Sequence, residues 1–194
     1  IEDILDMSRI EAGKLALTLQ QTEILKVFEK SADTLRHFAD AHNVTSSMCY
    51  DPQLPKSISC DPGRLRQITL NLLSNAIKFS KSHPEGLRGQ VLLTIGFSKK
   101  GDLEFTVSDN GIGIAQEFIE SLFDPFEQSA AVRRHDFGGS GLGLAIVSQL
   151  VEKLGGSVNV ESQIGCGSSF TVQFPIVDAK GRIDLPDLTG KTIA

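Results

Sequence analysis

Three stretches of this chain combine residue types and spacings that can hold a charged ligand. The first is DPGRLRQITLNLLSNAIKFS, residues 61–80. Within it Arg64, Gln67, Asn71, Asn75 and Lys78 recur every three or four residues, so a helix would line them up as one polar ridge. Two asparagines one turn apart offer amide oxygens to a hard cation, and the lysine beyond them offers charge to a phosphate. Taken alone, the ridge also reads as the solvated face of an amphipathic helix.

The second stretch is DNGIG, residues 109–113. An aspartate ending a strand beside two glycines can reach into a cleft, and the bare backbone lets a flat ligand come close. Its carboxylate accepts hydrogen bonds only, which suits an exocyclic amine such as that of adenine. A plain Asp-Asn-Gly turn is the alternative. The third stretch, GGSGLGL at residues 138–144, runs straight into an apolar helix. Free amides and the dipole at such a helix start favour an anion, and glycines let backbone wrap it. Neither familiar phosphate loop is present. No strand precedes the glycines with G-x-G-x-x-G spacing, and the single Gly-Lys-Thr, at residues 190–192, has Leu185 where a Walker loop needs its first glycine.

The elements that must position these stretches follow from periodicity. Asp61 and Pro62 suit the N-cap and first position of a helix, and Leu65, Ile68, Leu72, Leu73, Ala76 and Ile77 form its core-facing stripe. Residues 1–13 read as the end of a longer helix stopping at Gly13, its apolar face without a partner in this stretch of chain. Alternation at Leu15, Leu17 and Leu19 predicts a strand, and Thr22 can cap a helix carrying Leu25, Phe28, Ala32, Leu35, Phe38 and Ala39. Strands are expected near 44–50 and 57–60, hairpins over 90–109 and 157–174, a short helix within 115–122 and a longer one over 142–154. Together these predict a two-layer α/β sandwich: one mainly antiparallel sheet with three longer helices on one face.

Composition narrows the function classes. The chain has 194 residues, 40% hydrophobic and 22% charged, with a net charge of −5, which argues against a general grip on nucleic acid. No apolar run approaches the roughly 20 residues of a membrane span. Cys49, Cys60 and Cys166 show no metal-ligand spacing and read as reduced, partly buried thiols of a cytoplasmic protein.

In order and spacing, the Asn-x-x-x-Asn helix, DNGIG, FDPF (123–126), GGSGLGL and GSSF (167–170) resemble the catalytic ATP-binding domain of sensor histidine kinases. The resemblance covers roughly residues 15–177 and implies the Bergerat-type sandwich, with ATP between the helical layer and a mobile lid. It implies that Asp109 accepts from the adenine amine, joined through water by Ser169. Gly111 and Gly113 would shape that turn. Asn75, helped by Asn71, would hold Mg²⁺; Lys78 would approach phosphate and Phe79 would pack beside sugar or base. Gly139, Gly141, Leu142 and Gly143 would form the amide cradle. Residues 127–137 would be the lid, based on Phe123 and Phe126. Where many relatives carry a lid arginine, this chain has His135, with Arg133 and Arg134 just upstream; His135 is read as a lid residue rather than a catalyst.

The resemblance also implies what lies elsewhere. His37, His42, His83 and His135 lack the surroundings of the family's phosphoacceptor, so no catalytic residue is assigned within this chain. Residues 1–14 would be the tail of a dimerisation and phosphoacceptor helical hairpin. Residues 178–194 would be a linker toward a receiver domain, as in a hybrid kinase. Expected partners are ATP, the protein's own phosphoacceptor domain, and a receiver domain or response regulator, in a homodimeric full-length protein. Two alternatives stand beside phosphoryl donation. One is a regulatory module that binds another kinase; the other is an ATPase of the wider superfamily. The latter would need a water-activating glutamate where Asn71 stands, and asparagine is no base at neutral pH.

Overall fold

The computed structural model describes residues 2–12, 14–80, 88–125 and 141–183. Helix α1 (Glu2–Glu11) opens the chain, followed by β1 (Gln20–Glu23) and α2 (Ile24–Ala41). Then come β2 (Val44–Tyr50), β3 (Ser57–Cys60), α3 (Pro62–Phe79), and the hairpin β4 (Gly89–Phe97) and β5 (Leu103–Asp109). One helical turn, α4 (Gln116–Ile119), precedes α5 (Gly143–Lys153) and the closing hairpin β6 (Ser157–Gln163) and β7 (Gly167–Phe174).

Five strands make one sheet in the order β2-β4-β5-β7-β6, antiparallel except for the parallel β2–β4 pair. Along β4, Val91, Leu93 and Ile95 are buried while Gln90, Leu92 and Thr94 are exposed, so one face alone carries the helices. The register continues that face through Leu103, Phe105 and Val107 of β5 and Phe170, Val172 and Phe174 of β7. Helices α2, α3 and α5 cover it, and Phe28 of α2 meets Phe105 edge-on at 5.0 Å between ring centroids. The expected sandwich is the one observed.

Helix α3 starts as its sequence dictates. Oδ1 of Asp61 accepts from the amides of Gly63 (3.0 Å) and Arg64 (3.1 Å), and Pro62 occupies the first turn. Oδ2 of the same carboxylate accepts from the Thr18 amide at 2.8 Å. That bond corrects the strand expected at Leu15–Leu19. Residues 14–19 run without ladder pairing, Leu19 points to solvent at 57% exposure, and the strand begins only at Gln20. Thr22 does not cap α2 either. Its hydroxyl donates within the small β1–β3 sheet, to the carbonyls of Gln20 (3.0 Å) and Cys60 (3.4 Å), and Glu23 stands at the N-cap with no side-chain bond.

Two boundary expectations also change. The α1 helix does have a partner: Met7 and Ile10 are buried, α1 packs on α5, and Asp6 takes hydrogen bonds from Arg64 (3.1 Å) and Gln67 (2.8 Å) of α3. Ile4 and Leu5 remain exposed. Downstream, the first residues of the expected linker, 178–183, are fastened to the fold, and residues 184–194 lie outside the described residues. Lys180 exchanges backbone hydrogen bonds with Ser57, and Gln21 donates to the Asp178 carbonyl (3.1 Å) and carboxylate (2.6 Å). Cys60 is buried, as expected, but Cys49 and Cys166 are exposed. Neither of these two sits where packing excludes solvent.

Candidate functional site

The polar ridge of α3 divides into two parts. Arg64 and Gln67, near its start, are committed to Asp6 and hold α1. Asn71, Asn75 and Lys78, further along, are half-buried. Asn71 donates its amide hydrogen to the carbonyl of Gly143, the first residue of α5, at 3.2 Å. This bond joins the asparagine ridge to the glycine-rich helix start and turns the amide oxygen of Asn71 away from that carbonyl. Leu142 stands at the N-cap of α5 and, being apolar, makes no side-chain cap bond to the first turn.

Lys78 lies with its ammonium 5.1 Å from the centroid of the Phe79 ring, and burial draws its pKa down from the ordinary lysine value. One residue on, the carbonyl of Phe79 accepts from Ile112 at 3.3 Å, which ties the end of α3 to the turn after β5. That closeness explains the glycines. A Cβ on Gly111 would fall 2.1 Å from the Phe79 oxygen. Gly113 has φ +68°, and a Cβ there would sit 2.0 Å from the Gln163 carbonyl. The turn is clamped between α3 and the β6–β7 hairpin, whose Gly165 amide donates back to Ile112 at 2.8 Å.

Asp109 closes β5 on the helix-bearing face. Its Oδ1 accepts from the Gly111 amide at 2.8 Å. Burial pushes its pKa up to about 6, against the downward pull of the Gly111 and Ser168 amides. The β5–β7 register sets Ser168 opposite Asp109 and Ser169 opposite Ser108. Side chains alternate, so Ser168 is buried on the face of Asp109, and Ser169 bonds the Ser108 hydroxyl at 2.9 Å on the other face. The expected pairing of Ser169 with Asp109 is therefore corrected to Ser168. The signal lay in the sequence: Phe170, Val172 and Phe174 are core positions, and counting back by two reaches Ser168.

Ser162 is a residue the motif reading passed over. Its Oγ accepts from the Ile114 amide (2.8 Å), donates to the Gly167 carbonyl (2.8 Å), and lies 2.9 Å from the Ser168 Oγ. Phe123 packs half-buried against the core, and Gly141 has φ +70°. Phe126, Arg133, Arg134, His135 and Gly139, with the expected lid at 127–137, lie outside the described residues. Among the described residues no His, Cys, Asp and Glu cluster could form an all-protein metal cage. Amide oxygens such as those of Asn71 and Asn75 are hard donors of the type Mg²⁺ takes alongside waters and phosphate oxygens.

Residues 60–178 match the model of one family, described as histidine kinase-, DNA gyrase B-, and HSP90-like ATPase. The chain belongs to this family. Within it, this is a histidine-kinase-type ATP-binding catalytic domain. It is similar to the circadian input-output histidine kinase CikA of Synechococcus elongatus, at 41% identity over 90% of this chain and 22% of the relative. It is similar also to the sensor histidine kinase GacS of Pseudomonas protegens, at 35% identity over 98% of this chain and 20% of the relative. The chain thus spans about a fifth of these curated relatives. Among solved structures, full-length ShkA in complex with AMPPNP superposes with a TM-score of 0.79 at 33% identity, covering 95% of this chain and 36% of that one. The catalytic domain of histidine kinase ThkA shares the fold, with a TM-score of 0.67 at 21% identity over 82% of this chain and 97% of that one.

Proposed function

We propose that this domain binds ATP with Mg²⁺ and presents its γ-phosphoryl to a histidine on a helical domain of the same full-length protein. The observation that carries the reading is the pair of ties made by α3, through the Phe79 carbonyl to the turn that follows the half-buried Asp109 and through Asn71 to Gly143 at the start of α5. Asp109 and Ser168 would meet the adenine edge, with Gly111 and Gly113 allowing the base close approach. Phe79 would pack beside base or sugar, and Lys78 would face phosphate. Gly139, Gly141, Leu142 and Gly143 would supply amides to the phosphates, and Asn75 with Asn71 would hold Mg²⁺, which neutralises charge on the transferring group. Catalysis in such a site is positioning plus electrostatics, with the nucleophile arriving from elsewhere.

Asn71 bears on the competing reading. An ATPase needs a base to orient and deprotonate water, and a neutral amide already donating to Gly143 cannot serve. Arg133 and Arg134 would contribute lid charge near the γ-phosphate. The proposed partners are the protein's own phosphoacceptor hairpin and a receiver domain or response regulator, with dimerisation through that hairpin. A cytoplasmic location belongs to the same proposal; among the described residues no helix is long and apolar enough to cross a membrane. The test is to extend the protein upstream through its acceptor helices and incubate it with γ-labelled ATP. Label on histidine, stable to base and labile to acid, is expected. ATP hydrolysis with no histidine labelling would favour the ATPase reading.

A further inference from the structure

The three hydrogen bonds of Ser162 constrain where hydrogens can lie. A serine hydroxyl has one hydrogen to donate and two lone pairs to accept with. Ser162 Oγ is within 2.8 Å of the Ile114 amide, within 2.8 Å of the Gly167 carbonyl and 2.9 Å from Ser168 Oγ. The amide can only donate and the carbonyl can only accept. All three bonds form together in one arrangement: Ile114 donates to Ser162, Ser162 donates to Gly167, and Ser168 donates to Ser162. The only hydrogen of the Ser168 hydroxyl is then turned away toward Ser162, and Ser168 keeps lone pairs alone for anything else.

We propose that Ser162 is a positioning residue that sets base specificity: by holding the Ser168 hydrogen, it makes Ser168 an obligatory acceptor beside the Asp109 carboxylate. The inference rests on the ATP-binding reading and deepens it. Two neighbouring acceptors match the two hydrogens of an exocyclic amine met directly. They oppose a carbonyl oxygen at the same place, because each acceptor would then face another with no hydrogen between them. The same bonds brace the Gly113 turn through Ile114, so polarity and position come from one side chain. Ser162 is half-buried and Ser168 is buried, so competing water has little access to the pair.

The experiment compares affinities for unhydrolysable analogues of ATP and of inosine triphosphate, which carries a carbonyl where adenine carries the amine. Wild type, Ser162→Ala, Ser162→Thr and Ser168→Ala are measured, with circular dichroism to verify folding. Wild type is expected to prefer the adenine analogue. Ser162→Ala frees the Ser168 hydrogen to donate, and the preference narrows at least about fivefold, on the scale of one hydrogen bond. Ser162→Thr keeps the hydroxyl and restores it. Ser168→Ala leaves the Ile114 and Gly167 bonds of Ser162 in place yet loses discrimination too, which decides the matter should Ser162→Ala fail to fold. Equal weakening toward both analogues in Ser162→Ala, or unchanged preference in Ser168→Ala, would overturn the assignment and leave Ser162 a structural brace. Folded wild type that binds neither analogue would instead overturn the ATP-binding reading, and this inference with it.

Discussion

The amide of Thr18 and the carboxylate of Asp61 meet at 2.8 Å across 43 residues of sequence, on the side chain that also caps α3. One aspartate thus ties the segment leaving α1 to the helix that carries the asparagine ridge. Asp61→Ala removes three acceptor bonds, two to the helix start and one to Thr18. Replacing a cap alone costs about 1 kcal/mol, so a loss of roughly 2 kcal/mol is expected, read as a lower urea midpoint with unchanged slope. Asp61→Asn retains one oxygen and should lose less.

The site glycines divide by what surrounds them. Gly111→Ala forces a methyl to 2.1 Å from the Phe79 carbonyl, and backbone must move. At Gly143 the same methyl lies 3.8 Å from the Asn71 side chain, an ordinary contact. Gly111→Ala is expected to destabilise by more than about 2 kcal/mol and Gly143→Ala to stay within about 0.5 kcal/mol of wild type. Thermal melts of the two proteins provide the comparison.

Asp109 sets opposite pH dependences for stability and binding. Its carboxyl titrates at about 6 when folded. In the unfolded chain it returns to the ordinary value near 4. Between those values the folded state holds the extra proton, so stability falls as pH rises from about 4 to about 6, and the cost is constant above that. Asp109→Asn should therefore be more stable than wild type at pH 8, by about 1–3 kcal/mol, with the advantage gone near pH 4. Affinity for ATP runs the other way. In the proposed site the ionised carboxylate is the acceptor, so wild-type binding should weaken as pH falls through about 6, and Asp109→Asn should lack that slope.

Mg²⁺ supplies a third readout. With a chelator present, wild type should bind the ATP analogue more weakly than with Mg²⁺. Asn75→Ala should bind equally in both conditions, because an amide oxygen for the ion is gone. A full Mg²⁺ response in Asn75→Ala would remove that residue from the proposed ligand set.

Most of what positions this site was legible where local signals and packing agree. Asp61-Pro62 marks the start of α3, the Leu65–Ile77 stripe marks its buried face, and alternation marks β4 and β5. What failed to show depended on contacts distant in sequence. Leu15, Leu17 and Leu19 alternate like a strand, yet the Thr18 amide is spent on Asp61 and no neighbouring strand takes the rest. The partner of α1 was invisible because Asp6 meets Arg64 and Gln67 only after folding. Residues 178–183 read as linker because their bonds go to Ser57 and Gln21, far upstream. Ser168 is different: its face was readable from Phe170, and the motif resemblance, which drew attention to Ser169, outweighed the alternation.

The central claim is that Asp109 lies at the floor of an ATP site, and calorimetric titration with an unhydrolysable ATP analogue at pH 8 tests it most directly. Wild type should bind one equivalent saturably, more tightly with Mg²⁺, and Asp109→Asn should lose at least about tenfold, the scale of a hydrogen bond to a charged group. Folded wild type that takes up no nucleotide, or an Asp109→Asn protein that binds as tightly as wild type, would contradict the account.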